Sequence, residues 1–185
     1  SGIEIDSTNE STLYNSLVLD NDKYNIVIMH GQIGQINLNA MKNKGIDYLA
    51  LGHVHEYQNG PIDNRGIYCY SGCLEGRGFD ECGAKGFVVL DIDEQKLTAG
   101  FSFIPFAYRN LYTIYVDVTG AMTTQDAAAK IEDELAKNPY SSRSLVKIVL
   151  VGEVDVDCEI NTDFLKDMFE EYFYYEKVYD ETKLL

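Results

Sequence analysis

The segment Leu49-Ala50-Leu51-Gly52-His53-Val54-His55 is the most informative part of this chain for its fold. It closes an apolar run at residues 46–51, whose length and composition are typical of a strand buried on both faces. A second run of the same kind, residues 24–29, is followed at once by His30 and Gly31. The sequence therefore predicts two buried strands of a parallel sheet, each with histidine at its carboxyl end.

All three histidines of the sequence lie at these two strand ends. Ligands of open α/β sheets collect at the carboxyl edge, and imidazole is the commonest protein ligand for transition metals. In an extended segment the spacing of His53 and His55 directs both rings to the same side. One histidine at a strand end is usually only a polar residue of the surface. Three such histidines favour a metal site formed by His30, His53 and His55.

The pattern of the rest of the first hundred residues predicts a series of short strands joined by turns. Strands are predicted at residues 67–70, 87–92 and 97–104. Residues 59–61 and 64–66 have the composition of turns and surround a predicted hairpin. Between Gly31 and Lys44 the apolar residues Ile36, Ala40 and Met41 have helical spacing. This spacing predicts a helix there, which Gly45 ends.

The pattern changes after Pro105. Predicted strands at residues 111–118 and 145–151 alternate with two helices, one capped by Thr123 with Asp126 and the other by Asn161 or Thr162. The apolar faces of these helices are Ala127, Ile131 and Leu135 in the first and Phe164, Leu165, Met168, Phe169 and Tyr172 in the second. The fold class predicted is α/β (α+β), with one domain at residues 1–106 and a small β-α-β-α lobe at residues 107–185.

The charge of the chain limits its ligands. Acidic residues outnumber basic ones by 30 to 15, which gives a net charge of −15. Because this excess is spread evenly, non-specific binding to nucleic acid is disfavoured, and a phosphate substrate would need an arginine cluster or a metal ion. No apolar run reaches the length of a membrane span. We expect a cytoplasmic protein that has no membrane partner.

The four cysteines include three, Cys69, Cys73 and Cys82, that lie close together in sequence. Their spacing fits no standard zinc pattern, so reduced and partly buried thiols are the simpler interpretation. The C-terminal aromatic stretch at residues 172–175, with Tyr179 beyond it, has acidic sequence neighbours. Aromatic residues that stack on single-stranded bases usually have basic neighbours, so a partly buried helix face or a protein-binding surface is favoured here.

Gly52-His53-Val54-His55, preceded by a strand that ends in His30-Gly31, resembles the second half of the calcineurin-like metallophosphoesterases. The stretch Tyr70-Ser71-Gly72-Cys73-Leu74-Glu75-Gly76-Arg77-Gly78-Phe79, continuing through residues 81–92, is similar to the DNA repair exonuclease (SbcD-type) branch of that superfamily. The resemblance covers residues 24–105. It is weaker at residues 111–120, which resemble the entry to the capping domain of that branch.

This resemblance implies a two-metal centre that hydrolyses phosphodiester bonds of DNA. The metal of this branch is usually manganese, and iron and zinc are the alternatives. It implies that His30 and His53 bind one ion and that His55 binds the other. The implied fold is the second half of a β-sandwich flanked by helices, followed by a capping lobe, and the implied partner is an SMC-like ATPase. Arg77 would contact a substrate phosphate, or else pair with Glu75 or Asp80.

The chain departs from the family at several positions. The motifs Asp-x-His, Gly-Asp-x-x-Asp and Gly-Asn-His do not occur, and Ser71 and Cys73 stand where the branch usually has Pro and Asn. The bridging carboxylate and the catalytic histidine of the family are therefore missing. The resemblance implies a C-terminal fragment that is inactive alone, retains no catalytic residue and self-associates through apolar surface. A small-molecule metallophosphatase or phosphodiesterase and a non-catalytic binding module stay open as alternatives.

Overall fold

The computed structural model describes residues 10–185, which contain four helices and eleven strands. The chain is mixed α/β, the coarse class predicted from the sequence. The elements in chain order are α1 (Glu10–Ser16), β1 (Ile26–His30), α2 (Leu38–Met41), β2 (Tyr48–Gly52), β3 (Gln58–Pro61), β4 (Ile67–Tyr70), β5 (Gly86–Asp93), β6 (Thr98–Pro105), β7 (Leu111–Asp117), α3 (Thr124–Leu135), β8 (Leu145–Val151), β9 (Glu153–Val154), α4 (Thr162–Phe169), β10 (Tyr175–Asp180) and β11 (Lys183–Leu184). None of the helices within residues 10–185 combines the length and apolar character that crossing a membrane requires.

The chain divides into two compact units. The first unit extends up to Leu74 and includes Lys85–Phe106, and the second comprises Glu75–Ala84 and Ala107–Leu185. One division thus falls between residues 106 and 107, the boundary predicted from the sequence. The prediction placed residues 75–84 in the first domain, whereas the structure groups them with the second.

Three contacts explain why this segment belongs to the second unit. The N–H of Gly83 donates to the Leu111 carbonyl at 3.1 Å, and the Cys82 thiol lies 3.5 Å from the Thr113 hydroxyl. At its other end the Glu75 carboxylate accepts a 2.7 Å bond from the N–H of Tyr108. These non-local bonds to residues at and around the start of β7 are not visible in the sequence pattern.

The first unit contains a four-stranded sheet of order β1-β2-β4-β3. β1, β2 and β4 are parallel, and β3 pairs antiparallel with β4. The two strands predicted at residues 24–29 and 46–51 are confirmed as β1 and β2, each displaced by one or two residues. Because these strands are in register, with His30 opposite Gly52, the residues that follow them meet at one edge of the sheet.

The helix predicted between Gly31 and Lys44 is reduced to the single turn α2. Asn37 caps this turn by accepting from the N–H of Ala40, and the backbone of Lys42 is already extended. Gly34 has a φ of 106°, which bends the chain and keeps the helix from beginning before this residue. Apolar spacing alone therefore overestimated the length of this helix.

β1 is an edge strand with an exposed apolar face. One of its edges pairs with β2, and the other pairs with no strand among residues 10–185. Val27 and Met29 pack against the core of the unit, whereas Ile28 on the opposite face is 81 % exposed. β5 and β6 form a separate two-stranded antiparallel sheet of eight residues each.

The second unit is built on a three-stranded parallel sheet of order β10-β8-β7. The helices α3 and α4 pack against it and against each other. The capping box of Thr123 and Asp126 is confirmed, and Asn161 is the residue that caps α4. The core is apolar and contains Ile114, Val116, Val118, Ala127, Ala128, Ile131, Val146, Ile148, Leu150, Val154, Leu165, Phe169 and Phe173.

The prediction for the C-terminal aromatic stretch was wrong in its local structure. α4 ends at Phe169, and the stretch leads into a third parallel strand, β10, that the sequence pattern did not show. Of residues 172–175 only Phe173 is buried. The lobe is therefore a β-α-β-α-β arrangement to which the short pair β9 and β11 is added.

Candidate metal centre

His30 and His53 lie side by side at the carboxyl edge of the parallel strands. Their ring centroids are 5.4 Å apart, and the rings are nearly perpendicular, with an interplanar angle of 84°. Both residues are exposed. The adjacency follows from the register, since His30 ends β1 and His53 comes directly after its partner Gly52. Two neighbouring imidazoles open to solvent are a donor set suited to a transition-metal ion.

The backbone of His53 is strained. Its φ is 104°, well beyond the left-handed region near +57° that a non-glycine residue can occupy at moderate cost. The expectation that His53 and His55 continue an extended strand was therefore wrong, because β2 ends at Gly52 and the chain turns at His53. Strain of this kind costs on the order of 1–3 kcal/mol and clusters at functional sites.

Gly52 makes room for the imidazole of His30. A Cβ atom at this position would lie 2.8 Å from His30 Nδ1, which is too close for two non-bonded atoms. The glycine beside the histidine motif thus has a steric role. It lets the ring of His30 lie across β2 next to His53.

The carbonyl of His55 is held by three donors. It accepts from the Lys85 ammonium at 3.1 Å, from the Cys73 N–H at 3.3 Å and from the Cys73 thiol at 3.5 Å. Lys85 is buried, and a buried ammonium is stable only when it is hydrogen-bonded. In the sequence, Lys85 stands out only as part of the stretch that carries the resemblance. No local pattern indicates that its side chain supports the histidine segment.

The loop after His30 is held by the buried hydroxyl of Tyr70. This hydroxyl donates to the Gly31 carbonyl at 2.6 Å and accepts from the Ile33 N–H at 3.0 Å. Burial raises the pKa of Tyr70, so the group stays protonated and able to donate. One side chain on β4 therefore satisfies both backbone groups that follow the histidine.

Replacing Tyr70 by phenylalanine should lower the free energy of unfolding by about 1–3 kcal/mol, because two partly buried backbone groups, the Gly31 carbonyl and the Ile33 N–H, lose their partner. The matched control is Tyr68→Phe, since Tyr68 lies on the same strand and packs against the same core, but its hydroxyl makes no hydrogen bond within residues 10–185. Urea unfolding of both variants checks this. Equal losses for the two variants would contradict the assigned role of the Tyr70 hydroxyl.

The residues that the structure describes do not by themselves complete a metal site. Within residues 10–185 no group of three or more His, Cys, Asp or Glu side chains is arranged to hold a metal ion. The structure brings His30 and His53 into ring contact, and it places His55 two residues further along the same exposed segment. None of the four cysteines forms a disulfide, Cys69 is buried, and the three cysteines considered for zinc do not meet as such a group within residues 10–185. The histidines therefore fit part of a metal centre.

Arg77 does not pair with the acidic residues proposed for it. Its guanidinium lies 3.2 Å from Glu81, and its backbone N–H donates to the same carboxylate at 2.9 Å, whereas pairing with Glu75 or Asp80 was expected. The bend of the chain at Gly78 explains this choice, since Gly78 accepts from the Glu81 N–H and thereby brings Glu81 back over Arg77. The side chain is 71 % exposed.

Comparison with known proteins adds nothing to this geometry. No family model matches the chain, and no curated protein matches it.

Proposed function

We propose that this chain forms part of a metal-dependent phosphodiesterase of the calcineurin-like type that acts on DNA, and that it contributes imidazole ligands to a centre completed by residues outside it. The observation that carries the proposal is the strained His53 beside His30 at the carboxyl edge of two parallel strands. Backbone strain has to be offset by the surrounding structure, and it persists where a side chain must be aimed at a ligand.

The exposed edge of β1 supports a centre that is only partly contained in this chain. A strand with unpaired backbone groups next to an exposed Ile28 is an unfavourable surface unless another strand or layer covers it. A further strand added at β1 would also end near His30 if it ran parallel. Such a strand would be the natural source of the carboxylate ligands that residues 10–185 do not place beside the histidines.

In such a centre His30 and His53 would hold one ion and His55 would face a second. When bound, a pair of divalent ions neutralises the charge of a phosphodiester and lowers the pKa of bound water, so that hydroxide forms near neutral pH. The chain's own contribution is to position the ligands. Gly52 leaves space for His30, Tyr70 holds the loop behind it, and Lys85 holds the backbone at His55.

The proposal is tested by adding Mn²⁺ to this chain and observing the three imidazoles by NMR. Paramagnetic broadening should affect the His30 and His53 signals together. His53→Asn should weaken the broadening of His30 about tenfold or more, because one of two ligands is lost. His53→Gly relieves the backbone strain but also removes the ligand, so it should weaken metal binding equally. Unaffected broadening of His30 in both variants would show that the two rings do not share an ion.

Hydrolysis assays distinguish the alternatives. The 185-residue chain should be inactive, whereas the protein extended to complete the sheet at β1 should hydrolyse single-stranded DNA in the presence of Mn²⁺. Preference for nitrophenyl phosphate esters over DNA would favour a small-molecule phosphatase, and an extended protein without stoichiometric metal would favour a binding module. Strong Mn²⁺-dependent nuclease activity from the 185 residues alone would contradict an incomplete centre.

A further inference from the structure

Two arginines and two tyrosines meet at one edge of the second unit. We call Tyr108, Arg109, Arg143 and Tyr174 the arginine–tyrosine cluster. The guanidinium carbon of Arg109 lies 3.6 Å from the centroid of the Tyr174 ring and 5.3 Å from that of Tyr108. The guanidinium carbon of Arg143 lies 4.7 Å from the Tyr108 centroid. Half of the four arginines of the sequence are thus gathered in one place.

Strand register brings these residues together. Leu111, Leu145 and Tyr175 are aligned as the first residues of β7, β8 and β10. The cluster residues precede these three positions by one to three places. Backbone bonds fix the approach of the strands: Leu145 N–H donates to the Asn110 carbonyl at 3.0 Å, and Tyr174 N–H donates to the Ser144 carbonyl at 3.1 Å. The cluster is therefore a rigid feature of the amino edge of the sheet.

The cluster contains hydrogen-bonding groups without protein partners. The Nε of Arg109 is buried and makes no hydrogen bond within residues 10–185, and the same is true of the hydroxyl of Ser144, which follows Arg143. Neither arginine forms an ion pair with a carboxylate in that part of the chain. Buried polar groups are nearly always satisfied in native structures, so these donors indicate a missing acceptor.

The exposed surface beside the arginines is aromatic. Tyr174 is 62 % exposed and Tyr108 is 58 % exposed. A planar guanidinium that stacks on an aromatic ring keeps its in-plane N–H groups available for two-point contact with a phosphate. An exposed tyrosine ring can stack on a base. The carboxylate of Glu75, bonded to the N–H of Tyr108, offsets part of the positive charge.

We propose that the arginine–tyrosine cluster binds a single nucleotide, with its phosphate on Arg109 and Arg143 and its base stacked on an exposed tyrosine. The net charge of −15 selects the size of the ligand. An extended phosphate backbone is repelled by this charge, whereas one nucleotide places a single phosphate on two guanidiniums. The site goes beyond the proposed phosphodiesterase function and needs no metal ion, so the two proposals can fail independently.

The test is a titration of the metal-free chain with deoxyadenosine monophosphate, followed through the four arginine Nε–H signals in NMR spectra. The Arg109 signal should shift most, because its Nε has no partner without ligand. Arg109→Gln and Arg143→Gln should each weaken binding by about tenfold or more. Tyr174→Leu should weaken nucleotide binding by about fivefold or more and leave the weaker binding of inorganic phosphate unchanged.

Matched controls are available in the same unit. Lys130→Gln removes one positive charge from α3. Lys130 interacts electrostatically with Asp117, which ends β7 about 20 Å from the cluster. Tyr115→Leu removes a tyrosine that is 61 % exposed, about as much as Tyr174, but whose ring contacts neither Arg109 nor Arg143. Both variants should bind as the unmodified chain does.

Several results would overturn the proposal. Equal binding of inorganic phosphate and the nucleotide would reduce the site to a plain anion site. Binding of an oligothymidylate without binding of the mononucleotide would assign the surface to a nucleic acid strand. Equal weakening by Lys130→Gln would reduce the effect to overall charge. If Arg109→Gln does not fold, Arg143→Gln and Tyr174→Leu carry the same test.

Discussion

Replacing Phe169 by alanine should lower the free energy of unfolding of the second unit by about 3–5 kcal/mol. Phe169 is the last residue of α4 and is completely buried in the core of that unit. Its ring also contacts the ring of Tyr172 edge-on, with centroids 5.4 Å apart. Truncation removes the buried ring from this core and leaves a cavity, and both terms destabilise the folded state.

Phe164→Ala is the matched control for this prediction. Phe164 lies on the same helix and was assigned by periodicity to the same apolar stripe, but it is 48 % exposed. Its truncation should cost less than about 1 kcal/mol, since little apolar surface returns to water. Urea unfolding followed by the amide signals of the second unit measures both losses. Similar losses would show that Phe169 does not anchor α4.

Replacing Arg65 by methionine should lower the free energy of unfolding of the first unit by about 2–4 kcal/mol. Arg65 forms a two-point ion pair with Asp47, with N–O distances of 2.8 and 2.9 Å, and it donates to the carbonyls of Asn21 and Lys23. The hydrogen-bonded ion pair with Asp47 raises the pKa of Arg65 above its ordinary value. The Asp47 carboxylate is buried, and without the arginine its one remaining hydrogen-bond donor within residues 10–185 is the N–H of Asn25. An uncompensated buried charge is the source of the loss.

The effect should be smaller than for a fully buried pair because 31 % of the Arg65 side chain is exposed. Lys23→Met is the control, since Lys23 pairs with Asp20 on the surface of the same unit, where the two side chains are 75 % and 53 % exposed, and should contribute less than about 1 kcal/mol. The double variant Asp47→Asn/Arg65→Met should recover part of the stability, because no charge then stays buried. If the double variant is no more stable than Arg65→Met, the loss does not arise from the unpaired carboxylate.

Elements that depend on neighbouring residues were predictable from the sequence. The strands that end at the histidines, the capping box of Thr123 with Asp126 and the cap at Asn161 are all present. The strands follow from apolar runs, and each cap follows from a side chain that hydrogen-bonds to the backbone within a few residues. Elements that depend on distant partners were not predictable in this way. The short α2, the grouping of residues 75–84 and the third strand β10 belong to this class.

The two candidate sites show the same division. The placement of His30 and His53 at strand ends followed from the sequence, because parallel strands in register end at a common edge. The φ of His53 and the support of the His55 carbonyl did not. The groups that hold this carbonyl, on Cys73 and Lys85, are 18 and 30 positions away in the chain, where no local pattern indicates them.

The arginine–tyrosine cluster gives the clearest contrast. Tyr174 has acidic sequence neighbours, and the composition of this stretch therefore argued against stacking on single-stranded bases. In the folded chain the Tyr174 ring contacts the guanidinium of Arg109, 65 positions earlier. The amino-acid pattern was sufficient to predict most of the strands and the residues that follow them, but not β10. Which strand ends meet in space could be read only from the folded chain, because strand order and register are set by packing of the whole sheet rather than by any local pattern.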